Sequence, residues 1–299
     1  MSTADALRAG QSAGLVVAVV QAAPVLADVR RNLADAAAAT EQAAANGAKL
    51  VVFPECSLTG YMLTQSEAVS VAEPVPGRAT GELAAISRQL DVTLVAGMIV
   101  KEGDLLFNTA VLICPDGTVR QYRKAHLPRL GVDNYCTPGN TGFAPFNTSA
   151  GKLGLLICYD LRFPEAARTL ALQGAELLVI ISNWPKDATD YPDLLTRARA
   201  SENRIPAVIA NRTGPERGAE FVGRSQGVLP DGIVFAEAGA GSEILMVRFD
   251  TDLVTGRRGL VTAADGPAGL LGDRRPDLYG NHKDGLPVSG GAVHERGTS

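Results

Sequence analysis

The strongest constraint on this chain is a rhythm in which short, unbroken runs of Val, Ile and Leu alternate with helix-forming stretches. Val16–Val20, Leu50–Phe53, Val92–Val100, Leu105–Cys114, Leu153–Cys158, Leu177–Ser182, Ala207–Ala210 and Ile244–Val247 are such runs. Few of them alternate polar with apolar residues, so as strands they call for cover on both faces. Arg30–Ala45, Gly81–Leu90, Pro164–Gln173 and Tyr191–Arg204 read as the helices between them, the first consisting largely of Ala, the best helix former. The pattern predicts an α/β fold. Leu105–Tyr122 contains the turn chemistry Cys114-Pro115-Asp116-Gly117-Thr118, which makes a hairpin and therefore a mixed sheet.

Two helix exits resemble each other. Asn46-Gly47-Ala48-Lys49-Leu50-Val51-Val52 returns as Gln173-Gly174-Ala175-Glu176-Leu177-Leu178-Val179, each with a Gly placed for a left-handed cap before an apolar strand. This is either common α/β punctuation or the mark of two similar halves, and we favour the halves. A length of 299 residues suits one large domain or two small ones, and no shift in composition marks a boundary.

Composition narrows the function. With 28 Lys and Arg against 32 Asp and Glu, the net charge of −4 offers no overall grip on nucleic acid or on an anionic membrane surface. No apolar run approaches the ~18–20 residues that cross a bilayer. Met1–Gly14 has no apolar block and does not read as a secretory signal. Cys56, Cys114, Cys136 and Cys158 are too few for a disulfide scaffold and match no zinc spacing. The expectation is a reduced, cytoplasmic enzyme.

Cys158 ends one apolar run, and Tyr159-Asp160-Leu161-Arg162-Phe163-Pro164-Glu165 leads into the next helix. Ligands of open α/β sheets meet the carboxyl ends of strands, so a thiol stands where a substrate docks. A free Cys is more often a small buried hydrophobe, and position alone leaves that reading ahead. A cysteine nucleophile also needs a base. Of the three histidines, His282 and His294 fall in or beside the C-terminal tail, and His126 gives only weak support for a Cys–His pair. Glu55, just past a strand in Phe53-Pro54-Glu55, is a carboxylate alternative, and Lys124 in Tyr122-Arg123-Lys124 also follows an extended run. Taken singly, each is more often an exposed surface charge.

Together, Phe53-Pro54-Glu55, Tyr122-Arg123-Lys124-x-His126-Leu127 and Ile157-Cys158-Tyr159-Asp160-x-Arg162-Phe163-Pro164-Glu165 resemble the signature blocks of the nitrilase superfamily of carbon–nitrogen hydrolases, in order and in spacing. Similarity continues through Ser57–Tyr61, Thr137-Pro138-Gly139, Asn183-Trp184-Pro185, Arg197–Asn203 and Ala210–Gly214, and Asp273–Tyr279 resembles the usual end of the domain. The resemblance implies a four-layer αββα sandwich of two mixed β-sheets flanked by helices over residues 15–279. Residues 280–299 carry no strand or helix pattern and are expected to form a loose tail, and 1–14 a flexible segment. It implies a homodimer or higher homo-oligomer joined through the helical face nearest the nucleophile.

It also implies Cys158 as nucleophile, Glu55 as general base and Lys124 as cationic stabiliser, with the Tyr159 backbone N–H completing an oxyanion site. Neither metal nor organic cofactor is required. One departure stands out: many members carry a second glutamate between the Lys and Cys blocks, but no Glu lies between Glu102 and Glu165 here. Asp133 or its neighbour Asn134 is the substitute, and Asp133, which keeps the charge, is the expected one. Tyr61, Asn134, Asn183 and Trp184 are candidate substrate contacts, with Tyr61 and Trp184 read equally as core. Asp160, Arg162 and Glu165 are expected to form supporting ion pairs, and Cys56 and Cys136 to pack. The Cys-Tyr-Asp-Leu-Arg-Phe-Pro-Glu block looks like that of amidases, so a small aliphatic or ω-amide is the expected substrate. A nitrile, an N-carbamoyl compound, or an idle binding module are the alternatives.

Overall fold

The computed structural model describes residues 14–250 and 269–279. The segments read above as loose ends lie outside these residues, apart from Gly14. Within 14–250 the chain builds two six-stranded mixed sheets, flanked by helices as the resemblance implies.

The first sheet contains β1 (Leu15–Gln21), β2 (Leu50–Val52), β3 (Thr93–Glu102), β4 (Leu105–Ile113), β5 (Val119–Arg123) and β14 (Glu243–Phe249), in the order β14-β1-β2-β3-β4-β5. The second contains β6 (Phe146–Thr148), β7 (Gly151–Ile157), β8 (Leu177–Ser182), β9 (Ala207–Asn211), β12 (Gln226–Val228) and β13 (Val234–Glu237), in the order β13-β12-β9-β8-β7-β6. Between β9 and β12 lies a small antiparallel hairpin, β10 (Thr213–Glu216) with β11 (Ala219–Val222). Each large sheet has a parallel core, β1–β2–β3 in one and β7–β8–β9 in the other, with antiparallel strands outside it. Helix α1 (Val29–Ala45) crosses from β1 to β2, and α4 (Pro164–Leu172) from β7 to β8. Gly47 and Gly174 leave these helices at φ +84° and +90°. The two similar exits in the sequence thus mark equivalent βαβ units, one in each sheet.

Strand alternation sorts the core into layers. Val17, Val19, Leu50, Val52 and Val95 of the first sheet join Leu155, Ile157, Leu177 and Val179 of the second in one cluster. Val16, Ala18, Val20, Val51, Leu94 and Ala96 belong instead to a cluster with Leu33, Ala36 and Ala43 of α1 and Leu83 of α3 (Arg78–Leu90). Strands covered on both sides explain the unbroken apolar runs.

Several elements differ from the sequence reading. Helix α2 (Gln65–Val71) was not expected, yet Thr64 and Glu67 form a full capping box at its start. The helix expected at Tyr191–Arg204 opens with a π-type turn at Tyr191–Leu195 before α5 (Thr196–Asn203). Strands β10–β13 are too short and too polar to show as apolar runs. Separately, residues 269–279 contain a short helix at Gly269–Gly272 and a 3₁₀ turn at Pro276–Leu278. No helix among the described residues is long and apolar enough to cross a membrane.

Candidate active site

The carboxyl ends of the parallel strands set out the site. Past β2, Pro54 ends the ladder, and the next residues pass over β3, where the Phe53 N–H donates to the Val95 carbonyl and the Leu58 N–H to that of Gly97. Gly97 makes this crossing feasible: a Cβ there would lie 2.2 Å from the Cys56 nitrogen and 2.7 Å from Glu55 Cα. Glu55 is left fully buried at the end of the strand. Lys124 follows β5, with its N–H on the Asn108 carbonyl, and is 1 % exposed. Asp133 sits in a 3₁₀ turn, Gly131–Tyr135, and is 3 % exposed.

These three charges meet. Lys124 Nζ donates to Glu55 Oε1 and to Asp133 Oδ2, both at 2.6 Å. Asp133 Oδ2 also accepts from the Tyr61 hydroxyl at 2.9 Å. Asn108 on β4 donates from Nδ2 to Glu55 Oε1 at 2.7 Å and to Asp133 Oδ1 at 2.8 Å. Glu55 Oε2 is buried with no hydrogen-bond partner. Burial pushes the Lys124 ammonium towards losing its proton, but Asp133 and Glu55 overcome that and hold it well above the usual lysine range. Burial raises Glu55 above the ordinary glutamate value, and Lys124 opposes the rise.

Cys158 follows β7 at the start of a 3₁₀ turn, Cys158–Arg162, and adopts φ +46°. A left-handed backbone at a non-glycine residue is a strained conformation that its surroundings must hold. The holding is visible two residues on. Fully buried Asp160 accepts from the Ile157 N–H at 3.1 Å, the Tyr122 hydroxyl at 2.7 Å and the His126 N–H at 3.0 Å. His126 Nδ1 lies 2.8 Å from the same carboxylate, and its ring stacks on Phe163 at 3.7 Å. The turn after β7 is thereby tied to the segment that carries Lys124. Burial, and then the charge of Glu55, push the Cys158 thiol up to about 12, while the Lys124 ammonium acts the other way. The resting sulfur is therefore a neutral thiol within the field of a carboxylate and an ammonium.

The other candidates divide. Tyr61 is buried and joins the cluster through Asp133. Asn183 is buried with neither side-chain polar atom hydrogen-bonded. Trp184 is fully buried and stacks on Tyr191 at 5.2 Å between ring centres. Tyr159 follows Cys158 in the first turn after β7, where backbone N–H groups lack helical partners. Asn134 is exposed, with its Nδ2 on the Gly131 carbonyl, while Asp133 beside it takes the Lys124 contact. Arg162 pairs with Asp190 at 2.9 Å and Asp160 is hydrogen-bonded to His126, but Glu165 is exposed on α4 and has no ion pair among the described residues. Cys56 is buried, and its thiol leans on Asn108 Oδ1 at 3.7 Å.

Asn108 is the member that the sequence reading missed. Its signal was an Asn inside the apolar run Leu105–Cys114, since a polar side chain buried in a central strand must have partners.

Comparison with known proteins agrees with the geometry. A family model described as carbon-nitrogen hydrolase matches residues 16–258. A nitrilase of Pyrococcus abyssi is 36 % identical over 266 residues, 88 % of this chain and 98 % of that protein. An N-carbamoylputrescine amidase of Arabidopsis thaliana is 32 % identical over 276 residues, 84 % of this chain and 90 % of its own. Among solved structures, a double mutant of the amidase from Nesterenkonia sp. AN1 in complex with acrylamide superposes with a TM-score of 0.75 at 27 % identity, covering 90 % of this chain and 97 % of that one.

Proposed function

Because the chain belongs to the carbon–nitrogen hydrolase family, we propose that it cleaves the C–N bond of a small aliphatic or ω-amide through a Cys158 thioester. The observation that carries this reading is the convergence of Glu55, Lys124 and Asp133 into one buried cluster, in which the charges of Glu55 and Lys124 act on the Cys158 thiol.

The resting thiol is protonated, so attack requires a base. Glu55 Oε1 is occupied by Lys124 and Asn108, which leaves Oε2 to take the proton as the sulfur bonds to the amide carbon. Such general-base assistance contributes about 10²–10⁴ in rate. The carbonyl oxygen becomes an oxyanion, held by Lys124 and the Tyr159 N–H, where losing one donor costs about 10²–10³. Glu55 returns the proton to the departing nitrogen, the C–N bond breaks and ammonia leaves. Water then gives a proton to Glu55 and attacks the thioester carbon, the C–S bond breaks to release the carboxylic acid, and Glu55 returns the proton to the Cys158 sulfur. No step calls for a metal or an organic cofactor. Asp133 acts through Lys124: Oδ2 is shared between Lys124 and Tyr61 and Oδ1 is taken by Asn108, so its role is to place the ammonium.

A nitrile substrate is the second reading, favoured by the similarity to the Pyrococcus nitrilase. The same thiol and cation serve attack on either group. We further propose a cytoplasmic homo-oligomer. Ammonia release from matched amides and nitriles separates the readings. Release from propionamide or glutaramate supports amide hydrolysis, release from nitriles alone supports the second reading, and no release from any compound overturns both.

A further inference from the structure

Strand β4 carries a polar group that its neighbours on the strand do not call for. Asn108 is 1 % exposed on a strand that is otherwise almost wholly apolar, and a buried amide is costly unless its bonding capacity is filled. Here the cluster at the carboxyl end of β2 fills it. One Nδ2 hydrogen goes to Glu55 Oε1 and the other to Asp133 Oδ1, while Oδ1 receives the Cys56 thiol. With Lys124 bridging the same two carboxylates, a closed ring forms: Glu55, Lys124, Asp133, Asn108 and back to Glu55.

We propose that Asn108 is a positioning residue for the reaction, one that fixes the Glu55 carboxylate by occupying Oε1 and so reserves Oε2 for every proton transfer. The inference rests on the reading of Glu55 as the general base. It has a consequence that packing alone does not. Asn108 donates to the ionised form of Glu55 and so favours that form, alongside Lys124 and against burial and the charge of Asp133. Among the described residues the remaining titratable neighbours are Cys158 after β7, Cys56 on the adjoining turn, Cys136 after the 3₁₀ turn and Tyr61, all of which are held in their neutral forms by burial. Removing the Asn108 donor lets Glu55 keep its proton to higher pH. The acid limb of kcat/KM then moves upward.

The test compares Asn108→Ala and Asn108→Ser in the full chain by ammonia release across pH, with thermal unfolding followed in parallel. One lost bond to a charged group corresponds to an upward shift of about one pH unit. That shift is expected for Asn108→Ala, with a smaller one for Asn108→Ser, which keeps one donor. At the pH optimum, kcat should fall by about tenfold with KM changed by less than about threefold. Acid limbs that superimpose on the wild type in a folded variant overturn the proposal, and so does failure of both variants to fold, which makes the residue structural. Glu55→Gln runs beside them. If it retains wild-type turnover, the base assignment fails and Asn108 with it. If it is inactive while the Asn108 limbs stay in place, only the positioning role fails.

Discussion

Changing Asp133 to Asn alters one atom's chemistry and almost nothing in shape, so it isolates what the second acid does. The carboxylate accepts from three donors: Lys124 Nζ at 2.6 Å, Tyr61 OH at 2.9 Å and Asn108 Nδ2 at 2.8 Å. An amide has one accepting oxygen. If it faces Lys124 and Tyr61, the new NH₂ opposes the Asn108 NH₂; if it is flipped, the NH₂ opposes an ammonium. Either way at least one charge-assisted bond is lost, worth about 1.5–3 kcal/mol. Lys124 then keeps Glu55 as its only charged partner in the cluster and is drawn off the position proposed for the oxyanion. A lost oxyanion donor costs about 10²–10³ in kcat. Asp133→Asn should therefore lower kcat by about 10² with KM nearly unchanged, measured as ammonia release at saturating amide. Asn134→Ala, on an exposed side chain, should stay within about twofold of wild type. If Asp133→Asn turned over normally while Asn134→Ala lost activity, the assignment of the second acid would be wrong.

Other consequences follow from the same geometry. Burial raises Glu55, so the acid limb of kcat/KM should fall above the ~4.3 of a free glutamate, because activity is lost as the base takes up a proton; a limb at or below that value contradicts the buried base. Gly97→Ala would place a methyl group against the backbone of Glu55 and Cys56, so both the unfolding temperature and kcat should drop, by about 1–3 kcal/mol in stability. Tyr122→Phe removes the hydroxyl bond to buried Asp160 and should cost about 1–3 kcal/mol by denaturant unfolding; an unchanged midpoint would show that the strained Cys158 turn does not depend on it. Leu172 and Leu194 stand exposed at the end of α4 and in the turn before α5. If the proposed oligomer forms through that face, Leu194→Asp should shift sedimentation towards the monomer.

The legibility of this chain follows its chemistry. The runs ending at Phe53 and Cys158 are plain because strands covered on both faces carry no polar interruptions, so Glu55 just past the first and Cys158 closing the second could be placed at strand ends without coordinates. Asp133 could be chosen over Asn134 on charge alone. That Lys124 sits between two carboxylates could not be read from its own segment, because Glu55 arrives from past β2 and the 3₁₀ turn carrying Asp133 is held in place by the Val132 N–H on the Tyr61 carbonyl. Asn108 is illegible for a related reason: its partners, Glu55 past β2 and Asp133 in the 3₁₀ turn, are brought to it by the fold and leave no mark in its own run. His126 looked like a weak candidate base and is instead a tie to Asp160. Trp184 was open between pocket and core, and the structure buries it completely against Tyr191. Helix α2 had a readable signal in Thr64 and Glu67, whereas β10–β13 had none, since their short strands are held by pairing and not by an apolar pattern.

The sulfur of Cys158 is where the proposed chemistry becomes covalent. Acid-quenching the enzyme during turnover of an amide and mapping its peptides by mass spectrometry should find the acyl group on Cys158, with Cys158→Ala showing neither adduct nor turnover. An acyl group on another residue, or steady ammonia release from Cys158→Ala, would contradict the account.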